Sequence, residues 1–127
     1  MPRLSFGRYP RLPGALIVLA FLLWPAGLAA LQVPPLEGRV SDYAGMLAPG
    51  PERQLATLLQ QLEASDSTQI AVLTVPSLEG DSLEDFSIRV AEQWQIGQRR
   101  LDNGAILLIA KAERKLRIEV GYGLEGR

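Results

Sequence analysis

The stretch from Asp102 to Gly126 decides the fold of this chain; it reads DNGAILLIAKAERKLRIEVGYGLEG. It contains a turn-forming start, an apolar run at residues 105–110, a basic connection and an alternating run at residues 116–120. The two runs predict an antiparallel β-hairpin. The open end of this hairpin, residues 102–104 and 121–125, is called the hairpin mouth below. Because the two open ends of a hairpin lie side by side, we expect Asp102 and Asn103 to approach residues 121–125.

The second run of the hairpin alternates apolar and charged residues. Leu116, Ile118 and Val120 share one face of the strand, while Arg117 and Glu119 share the other. This pattern is typical of a strand that is covered on one face only. We expect the apolar face to point toward the core, and we expect Arg117 to pair with a carboxylate of the hairpin mouth.

Three elements are predicted upstream of the hairpin. Pro51 suits the first turn of a helix, and leucines at spacings of three and four continue the pattern to about residue 64. Residues 70–75 form a short apolar run that is typical of a strand buried on both faces. Asp81, three residues before Glu84, resembles a capping box that starts a second helix ending near Gln95.

These elements predict an α/β fold, a three-layer α/β/α sandwich around a mixed sheet. The strand at 70–75, the second helix and the strand at 105–110 make a β-α-β unit, so the two strands should be parallel and the crossover right-handed. The hairpin then adds an antiparallel strand. Two helices cannot cover both faces of this sheet, so one face of the hairpin should be poorly covered. We therefore expect the domain to be truncated at its carboxyl end.

The first 29 residues resemble a secretory signal peptide. Three arginines precede an unbroken apolar run at residues 15–24, and small residues surround Ala29. The run is shorter than the roughly 20 residues that cross a membrane comfortably, so we predict cleavage after Ala29, with retention as a membrane anchor as the alternative. Residues 30–38 contain adjacent prolines and are predicted to be an extended linker. The domain at 39–127 should then be exported to the periplasm or the extracellular face, near a membrane.

Composition excludes several classes of function. The formal net charge is −1 and becomes −4 when the three leader arginines are removed, so the domain has no electrostatic attraction for nucleic acid. The chain has no cysteine, which excludes disulfides and zinc–thiolate sites. It also has no histidine, which excludes a Ser-His-Asp triad, a histidine phosphatase and a histidine-bound metal.

The candidate functional residues gather at the predicted hairpin mouth. Asp102 and Glu125 supply carboxylates and Asn103 supplies an amide, while Asp42 is a further candidate metal ligand whose position the sequence does not define. Oxygen donors without a soft ligand suit Ca²⁺ or Mg²⁺. Tyr122, between two glycines, is placed to close the rim of the mouth. The alternative interpretation is structural, because Asp-Asn-Gly is a common turn sequence and Asp42 also suits a turn or a cap.

The glycines of the hairpin exit invite a second interpretation. Gly121, Gly123 and Gly126 match the G-x-G-x-x-G spacing of dinucleotide-binding loops. The preceding strand belongs to a hairpin rather than opening a β-α-β unit, and Glu125 would face a pyrophosphate with like charge. We therefore predict no nucleotide cofactor and interpret the glycines as a loop with positive φ angles.

These segments also resemble a known family. Residues 40–44 (VSDYA), 102–104 (DNG) and 117–126 (RIEVGYGLEG) are similar to motifs of the TPM domain, which occurs in bacteria, chloroplasts and some animal membrane proteins. The resemblance covers about residues 36–127. It implies an α/β/α sandwich, export across a membrane, and often a carboxy-terminal membrane helix or glycine-rich tail. It also implies acidic site positions at Asp42, Asp102 and Glu125, with Arg117 beside them.

Two functions are consistent with the sequence. The first is an exported accessory or interaction domain of the cell envelope, with a divalent cation at the hairpin mouth and an envelope protein or membrane complex as its partner. The alternative is a weak metal-assisted acid phosphatase, an activity that the resemblance implies for some members of the family. The chain has no D-x-D pair and no histidine, so the metal would carry most of the catalysis and no residue is assigned a catalytic role. We favour the binding domain.

Overall fold

The computed structural model describes residues 30–97, 103–121 and 124. The elements follow the order β1 (Val40–Asp42), α1 (Pro49–Asp66), β2 (Gln69–Val75), α2 (Leu83–Trp94), β3 (Gly104–Ala110) and β4 (Lys115–Val120). The strands form one sheet in the order β1-β2-β3-β4. β1, β2 and β3 are parallel, and β4 is antiparallel to β3, which confirms the predicted mixed sheet.

The two helices lie on opposite faces of the sheet and over opposite halves of it. Phe86 and Val90 of α2 pack against the face that carries Leu73 and Leu108, and the main contacts of α2 are with β3 and β4. α1 instead contacts β1 and β2, on the face where Val72 is buried. These three layers confirm the α/β/α architecture. The connections β1-α1-β2 and β2-α2-β3 both move to the next strand in the same direction across the sheet. Because their helices lie on opposite faces, the two crossovers have opposite handedness. One of them is therefore left-handed, against the usual right-handed preference.

Local sequence explains where the helices begin and end. α1 starts at Pro49, with proline suited to a first turn, and ends where Ser67 adopts a left-handed backbone with φ of 65°. α2 starts after Ser82, whose side chain accepts the amide of Asp85. The predicted cap at Asp81 is therefore wrong by one residue. β1 was not predicted, because three residues are too few to show a period.

The segment before β1 is extended, but it is not a free linker. Leu31 and Val33 pack against the core on the α2 side of the sheet, over the half that α2 leaves uncovered. The indole nitrogen of Trp94 donates to the carbonyl of Pro34 at 2.9 Å. Residues 31–36 are called the N-terminal strap below. The prediction of a free linker is corrected here, because Leu31 and Val33, two residues apart in this segment, both pack against the core.

The apolar face of β4 points away from the core, contrary to the sequence-based expectation. Leu116, Ile118 and Val120 are 64%, 58% and 41% exposed. α2 crosses the other face, where Arg117 and Glu119 lie, and the buried hydroxyl of Ser87 donates to the Glu119 carboxylate there. Arg117 and Glu119 can be half-buried on this face because their charges pair with each other. Within the described residues no element covers the apolar face of β4, as the count of two helices predicted.

This exposure gives a first testable expectation for stability. Ile118→Thr keeps a β-branched side chain and should change the free energy of unfolding by less than about 0.5 kcal/mol, because the site is largely solvated. The matched change Ile106→Thr, on the buried face of β3, should lower it by about 2 kcal/mol. Urea unfolding of both variants compares them. A larger loss for Ile118→Thr would mean that its face is covered in solution.

Candidate functional site

The hairpin forms as the sequence predicts. Ala105 pairs with Val120, and the amide of Gly121 donates to the carbonyl of Gly104 at 2.8 Å. Gly104 and Gly121 therefore lie side by side at this end of the sheet. Three predicted site residues lie outside the described part of the chain: Asp102, Tyr122 and Glu125. Their approach to one another stays a prediction.

Asn103, the fourth predicted residue of the mouth, is bound to the scaffold. Its side chain amide donates to the carbonyl of Ser67 at 2.5 Å, just after α1. Its own carbonyl accepts the amide of Gln69, at 3.0 Å, at the start of β2. Only 6% of the residue is exposed. Asn103 thus joins the end of α1 to the starts of β2 and β3, which is the structural interpretation of the Asp-Asn-Gly motif.

Gly104 is required by a close approach of two backbones. A Cβ atom at Gly104 would lie 2.1 Å from the carbonyl oxygen of Ile96, in the loop after α2. Gly97 approaches from the opposite side with φ of +105°, and a Cβ there would lie 2.6 Å from the amide nitrogen of Gly104. The glycine of the motif therefore packs β3 against the loop that precedes it.

A cavity of about 240 Å³ lies beside the hairpin mouth. Its lining comprises Ala91, Ile96, Gly104, Ile106, Glu119, Val120 and Gly121. Glu119 is the one ionisable side chain among these lining residues, and the other side chains are apolar or absent. The cavity therefore presents the single carboxylate of Glu119 beside the backbone of Gly104 and Gly121.

The carboxylate of Glu119 is held in its ionised form. Its Oε1 accepts the hydroxyl of Ser87 at 2.7 Å and the Nε of Arg117 at 2.5 Å. Burial raises the pKa of Glu119, but these hydrogen bonds and the positive charge of Arg117 outweigh burial, so the pKa lies below its usual value. Both of these hydrogen bonds are to Oε1, and within the described residues Oε2 accepts none.

The sequence did not identify Glu119 as a site residue. It predicted a carboxylate partner for Arg117 without naming the residue. Arg117 was expected to pair with a carboxylate of the hairpin mouth, and among the described residues it pairs instead with Glu119, two residues along the same strand face. The signal was present, because residues i and i+2 of a strand share a face. It was overlooked because the charged face of β4 was expected to point to solvent.

Asp42 does not join the hairpin mouth. Asp42 pairs with Thr74 at the carboxyl end of β2, whereas Gly104 pairs with Gln69 at its amino end. The five-residue step between Gln69 and Thr74 corresponds to about 17 Å at the usual strand rise. Asp42 and Asn103 therefore lie at opposite ends of the sheet. The expectation that Asp42 completes the same metal site is corrected, because parallel pairing sends the ends of β1 and β2 away from the mouth.

The carboxylate of Asp42 instead organises the loop after β1. It accepts the hydroxyl of Thr74 at 2.5 Å and the amides of Met46 and Leu47 at 2.9 and 2.8 Å. Burial raises the pKa of Asp42, but these three bonds and the charge of Lys111 outweigh it and place the pKa below the ordinary value of 3.8. This is the turn-forming role that the sequence offered as the alternative.

Among residues 30–97, 103–121 and 124, no three acidic side chains come close enough together to hold a metal ion. In the same part of the chain, neither helix has the length and apolar character needed to cross a membrane.

The profile of the TPM domain matches residues 40–127. The solution NMR structure of the N-terminal domain of a P. gingivalis protein is 38% identical, with a TM-score of 0.63 over 68% of this chain and 55% of that chain. The chain therefore spans little more than half of that solved structure.

A second solved structure shares the fold at lower identity. It is the N-terminal domain of a Corynebacterium glutamicum protein, 20% identical, with a TM-score of 0.60 over 77% of this chain and 64% of that chain. Comparison with curated proteins gave no match. The profile match over residues 40–127 shows that this chain belongs to the TPM domain family.

Proposed function

We propose that this chain is an exported accessory domain of the cell envelope that binds a divalent cation, Ca²⁺ or Mg²⁺, at the hairpin mouth. Its partner is an envelope protein or a membrane complex. Export is supported by the basic and apolar character of residues 1–29. The single observation that carries the cation site is the register of β3 and β4, which brings both flanks of the hairpin to one end of the sheet.

The cavity beside the hairpin mouth supplies one suitable ligand. Glu119 is ionised, lines the cavity and has one carboxylate oxygen without a hydrogen bond from the described residues. Asp102 is two residues from Gly104, and Glu125 is four residues from Gly121. At about 3.3 Å per residue, both lie within chain reach of the cavity. Three carboxylates with backbone carbonyls would be the oxygen donor set that Ca²⁺ and Mg²⁺ prefer.

Calorimetric titration of the exported protein with Ca²⁺ and Mg²⁺ tests the site. We expect a dissociation constant of about 10⁻⁴ to 10⁻³ M, the range of extracellular calcium modules. Asp102→Asn and Glu119→Gln remove one negative charge each while keeping the shape of the side chain. Each should weaken binding by about tenfold or more, because the cation loses a charged ligand.

Asp85→Asn is the matched control for this titration. Asp85 is exposed at the start of α2 and its side chain makes no described contact, so the variant should bind as the wild type does. Equal affinity in the wild type and in both mouth variants would show that any bound cation lies elsewhere. The absence of binding heat in the wild type would reject the cation site altogether.

The acid phosphatase alternative is less favoured. Ser87 is the hydroxyl nearest to the Glu119 carboxylate, but it is 1% exposed and donates to that carboxylate, so no substrate can reach it. If the alternative holds, phosphomonoester turnover should disappear with a chelator and in Asp102→Asn. Turnover that is indifferent to both changes would count against it.

A further inference from the structure

The N-terminal strap begins at a preformed ion pair. Asp81, just before α2, pairs with Arg89, two turns along that helix. The side chains of Asp81 and Arg89 are 16% and 32% exposed. The guanidinium of Arg89 also lies 5.6 Å from the centre of the Phe86 ring, whose side chain is fully buried. The pair is therefore held on a rigid part of the core.

Both backbone polar groups of Leu31 bind this pair. The amide of Leu31 donates to Oδ2 of Asp81 at 3.2 Å, and the carbonyl of Leu31 accepts Nη2 of Arg89 at 3.0 Å. The carboxylate faces the N–H group and the guanidinium faces the C=O group of one residue, so the ion pair binds both polar groups of the backbone at the start of the strap. Leu31 lies one residue after Ala30, beside the predicted cleavage position.

We propose that the Asp81–Arg89 pair is the binding site for the amino terminus that leader removal creates. Its ligand is the α-ammonium end of this chain, at Ala30 after cleavage behind Ala29, or at Leu31 if the cut falls one residue later. The inference rests on the proposed export. Hydrolysis by a signal peptidase adds water to the peptide bond, leaving a carboxylate on the leader and an ammonium group on the domain.

The charges around the strap favour an ammonium group. An ammonium at Leu31 would take the place of the amide that already donates to Asp81, and one at Ala30 would lie about 3 to 4 Å further along the chain. Glu79 lines the cavity next to Leu31 and adds a second carboxylate, while Arg89 is the opposing positive charge. Two carboxylates against one guanidinium leave a net negative site at the start of the processed chain.

Intact mass of the protein recovered after export is the first test. We expect a chain that begins at Ala30 or Leu31. A chain that begins at Gln32 or later would overturn the inference, because the bound residue would be gone, and so would an exported chain that keeps its leader. A protein found only in the cytoplasm would instead contradict the proposed export, so the two failures are distinguishable by fractionation.

Reactivity of the α-amine is the second test, on the processed protein. If Asp81 binds the ammonium form, amine-selective labelling at pH 7 should be about threefold slower in the wild type than in Asp81→Asn, because a nearby carboxylate favours the charged form. Glu52→Gln, on α1 across the sheet, should label as the wild type does. Equal rates in wild type and Asp81→Asn would overturn the proposal.

A third measurement needs no substitution and therefore stands even if Asp81→Asn folds poorly. Acetylation of the α-amine should lower the Tm of the wild type by about 2 °C at pH 6. If folding raises the pKa of the amine, the charged amine stabilises the fold fully at pH values below the pKa of the unfolded chain. This stabilisation is lost as the pH rises through the pKa of the folded protein. The difference should therefore vanish at pH 10. An unchanged Tm at pH 6 would contradict the inference.

Discussion

Gly104→Ala is expected to lower the free energy of unfolding by about 3 kcal/mol or more, a large fraction of the roughly 5 to 15 kcal/mol that stabilises a typical domain. The new methyl group would lie 2.1 Å from the carbonyl oxygen of Ile96 and 2.9 Å from the amide nitrogen of Gly97. Both neighbours are backbone atoms, so no side chain rotation relieves the clash. The start of β3 would have to separate from the loop after α2, and Asn103 would lose its position with it.

Gly50→Ala is the control for this change. A Cβ atom at Gly50 meets nothing within 4 Å beyond its two chain neighbours, and Gly50 lies in the first turn of α1. Alanine there should change stability by less than about 1 kcal/mol, because the helix preference of alanine is offset by crowding of its Cβ atom against the ring of Pro51. Urea unfolding followed by circular dichroism measures both variants. A Gly104→Ala protein as stable as the wild type would show that residues 96–97 do not pack against β3 in solution.

Asp42→Ala is expected to lower the free energy of unfolding by about 3 kcal/mol. The carboxylate accepts three hydrogen bonds, from the Thr74 hydroxyl and from the amides of Met46 and Leu47. Thr74 is 2% exposed, so its hydroxyl would lose its acceptor where water cannot easily replace it. Asp42→Asn should lose less, because its side chain oxygen still accepts one or two of these bonds.

The same carboxylate gives a pH dependence with a defined sign. Asp42 has a folded pKa below its ordinary value of 3.8, so it stabilises the fold above that value. The contribution is lost as pH falls through the folded pKa, which lies below 3.8. The stability gap between wild type and Asp42→Asn should therefore shrink between about pH 4 and pH 2.

Thermal unfolding of the wild type and of Asp42→Asn at about pH 7, 4 and 2.5 measures this difference in stability. Asp85→Asn serves as the matched control, since Asp85 is exposed and makes no described side chain contact. A gap that stays constant across this range would mean that the Asp42 carboxylate is not preferentially ionised in the folded state. A wild-type stability for Asp42→Ala would refute the role of Asp42 in the loop after β1.

The elements that could be predicted from sequence are those with a long local signal. The run at residues 105–110 and the alternation at 116–120 predicted a hairpin, and the structure pairs Ala105 with Val120 as expected. The run at residues 70–75 predicted a strand buried on both faces, and its last five residues are buried. β1, with three residues, and the exact cap of α2 lacked such a signal.

Some parts of the candidate site could likewise be predicted from local sequence, and others could not. The mouth could be placed from the hairpin alone, because antiparallel pairing joins its flanks whatever the rest of the chain does. Asp42 could not be placed, because its position depends on parallel pairing across a helical connection. Glu119 was missed because its direction depends on which face α2 covers.

The sequence by itself determined the alternation of β4, the hairpin and the acidic character of its flanks, since each follows from neighbouring residues. Only the tertiary structure decided which face of β4 is inside, and therefore that Leu116 and Ile118 meet solvent while Glu119 lines a cavity. The physical reason is that a strand with two chemically distinct faces makes the same backbone hydrogen bonds whichever face points toward the core. Packing chooses between the faces through distant partners, here Ser87 on α2, whose hydroxyl makes burial of the charged face acceptable.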